Sequence, residues 1–317
     1  DAPIPRVLER MGCLQAQYAP SMYVGLWSRI ASFERDALTR ALVRRSVVQA
    51  TLMRVTIHLV SRRDYWPLAL ATLEARRASW LRPKTREVGA AAMEQAAAIV
   101  RERLAAGPLH RKEVEQLVGK ERAQGLQQWI DIVRVPPSGT WERRRADLYG
   151  LADDWVGAPE EGDGLELLVR RRLGGYGPAT RNEIADWAGL KVGDLATVLE
   201  RMKLRRFRAP DGAELLDLPR APLPDPDTPA PVRFLPTWDA ALLAHARRSG
   251  VLPEEHRPKL FHVRNPRSES PFLVDGAVAG VWRVEGGRVK LHPFEKLDAA
   301  AKRELRDEAE RLAEFHA

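Results

Sequence analysis

The sequence predicts an α+β protein, mostly helical, with three tandem winged-helix modules followed by a small C-terminal mixed β-sheet domain. Three observations carry that expectation. Apolar positions at helical spacing give way to continuous β-branched runs within residues 1–60. A Gly-Pro-x-x-Arg-x-Glu segment ending in a β-branched residue occurs twice, at 107–114 and 177–184, as in tandem supersecondary units. Residues 219–231 then hold six prolines in 13, an extended and stiff boundary, and glycine-turned hairpin patterns follow it.

Val7, Leu8, Met11 and Leu14 fall at helical spacing, and Pro20 breaks that helix before Met22, Val24, Leu26, Trp27 and Ile30. Residues 33–36 lead into a third helix through Ala37, Leu38, Ala41, Leu42 and Val43. The β-branched runs 47–54 and 55–60 predict two strands, and Ser61 is placed to cap a helix through Leu73. With a bridging helix at 88–104, these make the first module, 1–105. The second, 106–160, takes its helix from the first Gly-Pro repeat and its wing from Val133, Arg134 and Val135 and the turn-rich stretch 136–141. The third, 161–220, has Gly189 at the turn between two helices and a strand pair, 204–208 and 214–218, around Asp211-Gly212. The last domain, 221–317, opens with a strand at 232–235 and a helix near 239–246. Strands near 260–263, 272–274, 278–284 and 288–293 follow, with turns at Asp275-Gly276 and Gly286-Gly287 and a closing amphipathic helix at 299–315.

The 317 residues carry 51 Lys+Arg against 43 Asp+Glu, and 44% are hydrophobic, enough for several buried cores. The charge is uneven: residues 1–150 hold 25 basic and 15 acidic side chains, residues 151–317 hold 26 and 28. A basic half beside a near-neutral one points to a polyanionic partner, nucleic acid first, although an arginine-rich surface also serves solubility. One cysteine, Cys13, allows no internal disulfide or thiolate metal site. No apolar run approaches the ~18 residues of a membrane span, and no leader pattern opens the chain, so the expected place is the cytoplasm. The seven histidines are scattered and no glycine-rich phosphate loop occurs, so no metal and no cofactor are expected.

The segment Gly12-Cys13-Leu14-Gln15-Ala16-Gln17, followed by Tyr23-Val24-Gly25-Leu26-Trp27-Ser28-Arg29, carries a Gln-x-Gln motif. It resembles that of the winged-helix DNA glycosylases that unhook interstrand crosslinks, typified by the azinomycin-resistance glycosylase. Three later segments resemble the same family: Leu52-Met53-Arg54-Val55-Thr56-Ile57-His58-Leu59-Val60, Phe234-Leu235-Pro236-Thr237-Trp238-Asp239, and the hairpin from Phe272 through Asp275-Gly276 to Trp282. The likeness covers essentially the whole chain. It implies that Gln15 and Gln17 are catalytic and that the modules curve around duplex DNA. It further implies a substrate that is a cationic N7-alkylguanine or a crosslink through it, cleaved by hydrolysis without a lysine Schiff base or a cofactor. The corresponding biology is a monomeric enzyme of the bacterial nucleoid that protects its host from an alkylating natural product. A related branch of the family has Asp at the second position, so the resemblance implies, through Gln17, an enzyme restricted to strongly activated lesions.

Read without the resemblance, Gln15 and Gln17 are better explained by a polar helix face, and on a helix residues two apart point about 200° from each other. Joint action requires the helix to end or distort there, which Pro20 makes feasible. Candidate DNA contacts are Arg54 and His58, read as alternating with Thr56 on one strand face; Arg143, Arg144 and Arg145, read as a phosphate-contacting wing; and His262, Arg264 and Arg267 at a hairpin tip. A core histidine at 58 and a solvated arginine run at 143–145 are the plainer alternatives. The competing function is a winged-helix transcriptional regulator, although three nonidentical modules fit an asymmetric grip better than a palindrome-reading dimer.

Overall fold

The computed structural model describes residues 3–82, 88–159, 162–245, 249–262 and 267–317, and shows an α+β chain of helices and small antiparallel sheets. In chain order come α1 (Ile4–Met11), β1 (Leu14–Gln15), α2 (Ala19–Trp27), α3 (Arg35–Val43), β2 (Val47–Thr51), β3 (Ile57–Ser61) and α4 (Arg62–Leu81). Next are α5 (Ala90–Leu104), β4 (Leu109–His110), α6 (Arg111–Val118), α7 (Lys120–Gly125), β5 (Ile132–Arg134), β6 (Leu148–Leu151) and α8 (Ala152–Val156). Then follow α9 (Gly164–Tyr176), α10 (Arg181–Ala188), α11 (Val192–Arg201), β7 (Arg205–Arg208) and β8 (Glu214–Asp217). The last elements are β9 (Arg233–Phe234), α12 (Ala240–Leu243), α13 (Arg257–Leu260), β10 (Phe261–His262), β11 (Arg267–Ser268), β12 (Ser270–Val274), β13 (Ala277–Glu285), β14 (Arg288–Pro293) and α14 (Ala299–His316).

The chain divides into two compact units, the larger made of residues 2–19 and 38–221. Six of its strands form one antiparallel sheet in the order β1-β3-β2-β5-β6-β4, and β7 and β8 pair separately. The two β-ribbons expected as separate wings are therefore joined edge to edge, through Gln49 opposite Arg134 and Ala50 opposite Val133. Their apolar residues explain why: Val47, Val48, Ala50 and Val133 are all buried, and an unpaired edge would leave their backbone groups without partners. Ser61 caps α4 by accepting from the Asp64 N–H, as expected, but the helix continues to Leu81 rather than stopping near Leu73. Arg76 and Trp80, four residues apart on one face, are buried and hold that extension in place.

Trp80, Met93, Val100, Leu104, Val114, Leu126, Ile130 and Ile132 form one core around α5 to α7. A second core, from Val169, Leu173, Ile184, Leu195, Val198, Leu199 and Leu216, joins α9, α10 and α11 to the β7–β8 hairpin. Thr180 and Glu183 build a reciprocal capping box at the start of α10, and Gly189 ends it with a left-handed φ of 73°.

The smaller unit comprises residues 20–37 and 222–317. Its sheet, in the order β14-β13-β12-β9, is antiparallel throughout, where the sequence predicts a mixed one. The short turns at Asp275-Gly276 and Gly286-Gly287 connect only antiparallel neighbours, since a parallel pair needs a crossover of a dozen or more residues. Gly280 on β13 leaves room for the Phe272 ring, which would lie 2.4 Å from an added Cβ. Arg29 donates to both carboxylate oxygens of Asp239 at 2.9 and 2.7 Å, tying two stretches of this unit 210 residues apart. No described helix is long and apolar enough to cross a membrane.

Candidate active site

The Gln-x-Gln segment is not helical. Gly12 closes α1 with a left-handed φ of 72°, and Cys13 follows at φ 111°. The chain thereby leaves the helix and enters β1, which pairs antiparallel with β3 in the register Leu14 opposite Leu59 and Gln15 opposite His58. The Ala16 N–H then donates to the Ile57 carbonyl at 2.7 Å. Extended backbone has a side-chain period of two, which carries as far as the Ala16 bond and favours Gln15 and Gln17 on one side, where a helix would separate them. Burial confirms the alternation: Leu14 and Ala16 are buried, Gln15 is half-buried and Gln17 exposed.

Both amides have a fixed orientation. The Ile57 N–H donates to Gln17 Oε1 at 2.9 Å, and Arg54 Nη2 donates to Gln15 Oε1 at 3.4 Å. Neither an amide N–H nor a guanidinium can accept, so each contact must be to the glutamine oxygen. Each oxygen keeps a second lone pair, and each amide nitrogen keeps its two donors.

Arg54 lies in a tight turn between β2 and β3, not on the strand face expected from alternation. Its φ of 53° and that of Val55, 57°, are both left-handed, which ends β2 and aims the Arg54 side chain back toward Gln15. For a β-branched residue this is an uncommon and costly conformation, one that persists only where the surroundings over-determine it. They do here. The Arg54 guanidinium also donates to the Trp187 carbonyl, and an added Cβ on Gly189 would lie 2.9 Å from the Arg54 backbone nitrogen.

His58 is 1% exposed. Its Nδ1 lies 2.9 Å from the Thr56 carbonyl, which accepts only, so Nδ1 carries the proton and Nε2 is the bare acceptor. Burial, then the positive charges of Arg54 and Arg134, push its pKa down to about 3, and it is neutral at pH 7. Expected as a DNA contact, it is buried instead, on the sheet face it shares with Gln15, its partner across the ladder. Cys13 is buried and its thiol is pushed up to about 12, chiefly by burial, so it stays protonated and unreactive.

Beneath the turn into β1 lies an ion cluster that sequence reasoning missed. Arg171 on α9 donates to both oxygens of Asp64 at 2.6 and 2.9 Å and lies 3.6 Å from Glu9 on α1. The Arg171 carbonyl would be 2.9 Å from an added Cβ on Gly12, and Gly175 packs as closely on the Met11 backbone. Glycine is required at 12 both for the left-handed φ and for this approach. The only signal in the sequence was Ser61-x-x-Asp64, which reads as a helix cap and says nothing about Arg171.

Arg143, Arg144 and Arg145 are exposed in the loop between β5 and β6. The loop is held from within: Gly139 N–H donates to the Arg143 and Arg145 carbonyls, and Ser138 Oγ accepts from the Asp147 and Leu148 N–H groups. Arg143 and Arg145 share Asp147, at 3.7 and 2.9 Å, while Arg144 donates to the Tyr18 hydroxyl at 3.3 Å. The structure thus brings the arginine loop to the residue after Gln17. His262 and Arg267 belong to the smaller unit, paired across β10 and β11; Arg264 lies outside the described residues. Among the described residues one group, Glu255, His256 and Glu295 of the smaller unit, has ligand atoms within 4.8 Å of one another; His256 Nε2 is 3.6 Å from Glu295 and its ring packs on Phe294.

The sequence model of a family described as "DNA glycosylase AlkZ-like" matches residues 8–315. A curated relative named "Interstrand DNA cross-link repair glycosylase", from Streptomyces sahachiroi, is 24% identical over 97% of this chain and 89% of its own length. The solved structure of Streptomyces sahachiroi DNA glycosylase AlkZ superposes with a TM-score of 0.82 at 21% identity, covering 99% of this chain and 91% of the other.

Proposed function

The chain belongs to the AlkZ-like DNA glycosylase family, a hydrolase of N-glycosyl bonds, and from that premise we propose that it excises cationic N7-alkylguanine from duplex DNA, interstrand crosslinks included. The observation that carries this reading is the pair of oriented amides, Gln15 and Gln17, on one side of an extended segment. Alkylation at N7 leaves the base positively charged, so it departs neutral and needs no proton from the protein. The remaining task is to favour positive charge on the sugar and to place a water on C1′. The free lone pairs of the two Oε1 atoms are suited to both, as negative dipole ends and as acceptors for the water. The water oxygen bonds to C1′ as the C1′–N9 bond breaks, its electrons neutralise the base, and one water proton passes to solvent, since an amide holds no proton near pH 7. The products are a free alkylguanine and an abasic site. Self-protection against an alkylating natural product, in a monomeric protein acting at the nucleoid, is the biological setting we assign. The three-module reading remains the proposed scaffold, with boundaries near 105, 160 and 220, and Arg143, Arg144 and Arg145 as its phosphate contacts.

The test is incubation with duplex containing 7-methylguanine, followed by chromatography of released base and alkali treatment of the strand. Release of 7-methylguanine and an alkali-labile site are expected; a sequence-specific footprint on undamaged DNA without base release would make the protein a regulator instead.

Charge and damage recognition are separable. Each phosphate contact contributes about −0.9 to the slope of log affinity against log salt. Raised salt is expected to weaken binding to damaged and undamaged duplex alike. Replacing Arg143, Arg144 and Arg145 together by Ala is expected to flatten that slope by about two, because Arg143 and Arg145 already share Asp147. Fluorescence anisotropy across a salt series reads this directly, and an unchanged slope would remove the loop from the interface.

A further inference from the structure

The geometry points to Tyr18 as the surface on which the charged base rests, making it a specificity-determining residue for cationic over neutral bases; this rests on the glycosylase reading above. Tyr18 follows Gln17 directly and is 45% exposed, more than any other Phe, Trp or Tyr among the described residues. Leaving a large ring in water forfeits burial that the other described aromatic residues obtain at least in part, and an exposed aromatic directly after the oriented Gln17 amide is a ligand surface rather than a folding element.

Its placement is set from both ends. The backbone before it is pinned by the Ala16–Ile57 hydrogen bond and by the Gln17 side chain on the Ile57 N–H. Its hydroxyl accepts from Arg144, whose guanidinium lies 5.8 Å over the buried Trp141 ring. Arg144 thus meets the phenol at its hydroxyl edge. A ring held at both ends loses little freedom on contact. The chemistry then selects: the negative face of a phenol attracts a delocalised cation such as an alkylated guanine, an electrostatic gain on top of the stacking that any purine obtains.

The experiment measures single-turnover release of 7-methylguanine from duplex by wild type, Tyr18→Leu and Tyr18→Phe, together with affinity for undamaged duplex. Tyr18→Leu keeps apolar bulk but loses the ring face, and is expected to slow release about tenfold. Tyr18→Phe is expected to recover most of that loss. The melting temperature of Tyr18→Leu should equal that of wild type, since the residue is exposed, and Tyr18→Leu should match Tyr18→Phe in affinity for undamaged duplex, since both lose the hydroxyl that meets Arg144. Tyr18→Leu at the wild-type rate, Tyr18→Phe as slow as Tyr18→Leu, or an affinity for undamaged duplex lower in Tyr18→Leu than in Tyr18→Phe by the same factor as the rate would each overturn the proposal. A wild type that releases no base would overturn the glycosylase reading and this proposal together; an active wild type indifferent to Tyr18 would sink this one alone.

Discussion

Gln17→Ala is expected to slow release of 7-methylguanine by about a hundredfold or more, and Gln15→Ala by a similar factor, the scale seen when one oriented dipole is removed from a developing charge. The two losses should not multiply, because both amides are assigned to one water and one sugar cation. The physical reason for a large effect is preorganisation. Gln17 Oε1 is held by the Ile57 N–H at 2.9 Å and Gln15 Oε1 by Arg54, so neither dipole must reorient as the glycosidic bond breaks. Gln17→Glu keeps the acceptor for Ile57 and adds a full negative charge. It is expected to retain activity and to acquire a new pH dependence, with rate lost as the pH falls through the carboxylate pKa of about 4.3. Rapid-quench sampling with chromatography of released base measures all of these, and wild-type rates in both alanine variants would remove the pair from the chemistry.

Asp64→Ala is expected to be the most damaging stability change in the region. Asp64 is 5% exposed and Arg171 20%, and the two carboxylate oxygens meet two guanidinium nitrogens in parallel. Removing the acid leaves a largely buried cation with only Glu9 at 3.6 Å, for a loss of about 2–3 kcal/mol once partial exposure and the remaining partner are discounted. The melting temperature should fall by about 5–10 °C. Arg171→Met in the Asp64→Ala background should regain part of the loss, since the uncompensated charge rather than the lost attraction carries most of the penalty. Because this cluster lies under the Gly12 turn that delivers β1, residual folded Asp64→Ala is also expected to be a slower enzyme. A melting curve unchanged by Asp64→Ala would show that the pair contributes nothing.

Much of this arrangement was legible from residue patterns. The β-branched runs gave the β2–β3 hairpin, the Gly-Pro repeats marked the starts of two helical segments, and Asp275-Gly276 and Gly286-Gly287 placed two turns correctly. The local geometry of the candidate site was not legible, for a definable reason. Leu8, Met11 and Leu14 continue a helical period across Gly12, and what ends the helix is close packing of Gly12 and Gly175 between α1 and α9, segments 160 residues apart in sequence. The left-handed conformations of Arg54 and Val55 likewise depend on contact with Trp187 and Gly189, so alternation alone put Arg54 on a strand face it does not occupy. Edge pairing of β2 with β5 and the Arg29–Asp239 ion pair are long-range choices that no local periodicity encodes. Tyr18 was passed over because composition treats an aromatic residue as core until its exposure is known.

The central claim, that two uncharged amides carry the chemistry, is tested most directly by the pH dependence of single-turnover release of 7-methylguanine by wild type between about pH 5 and pH 7. Gln15 and Gln17 do not titrate, and two buried groups close to them stay in one state: His58, held near pKa 3, is neutral throughout, and Cys13, near 12, remains a thiol. The rate is therefore expected to vary less than about twofold across the window. A rate that climbs about tenfold per pH unit below a pKa inside this window, as a histidine general base or a carboxylate with a raised pKa requires, would contradict the account.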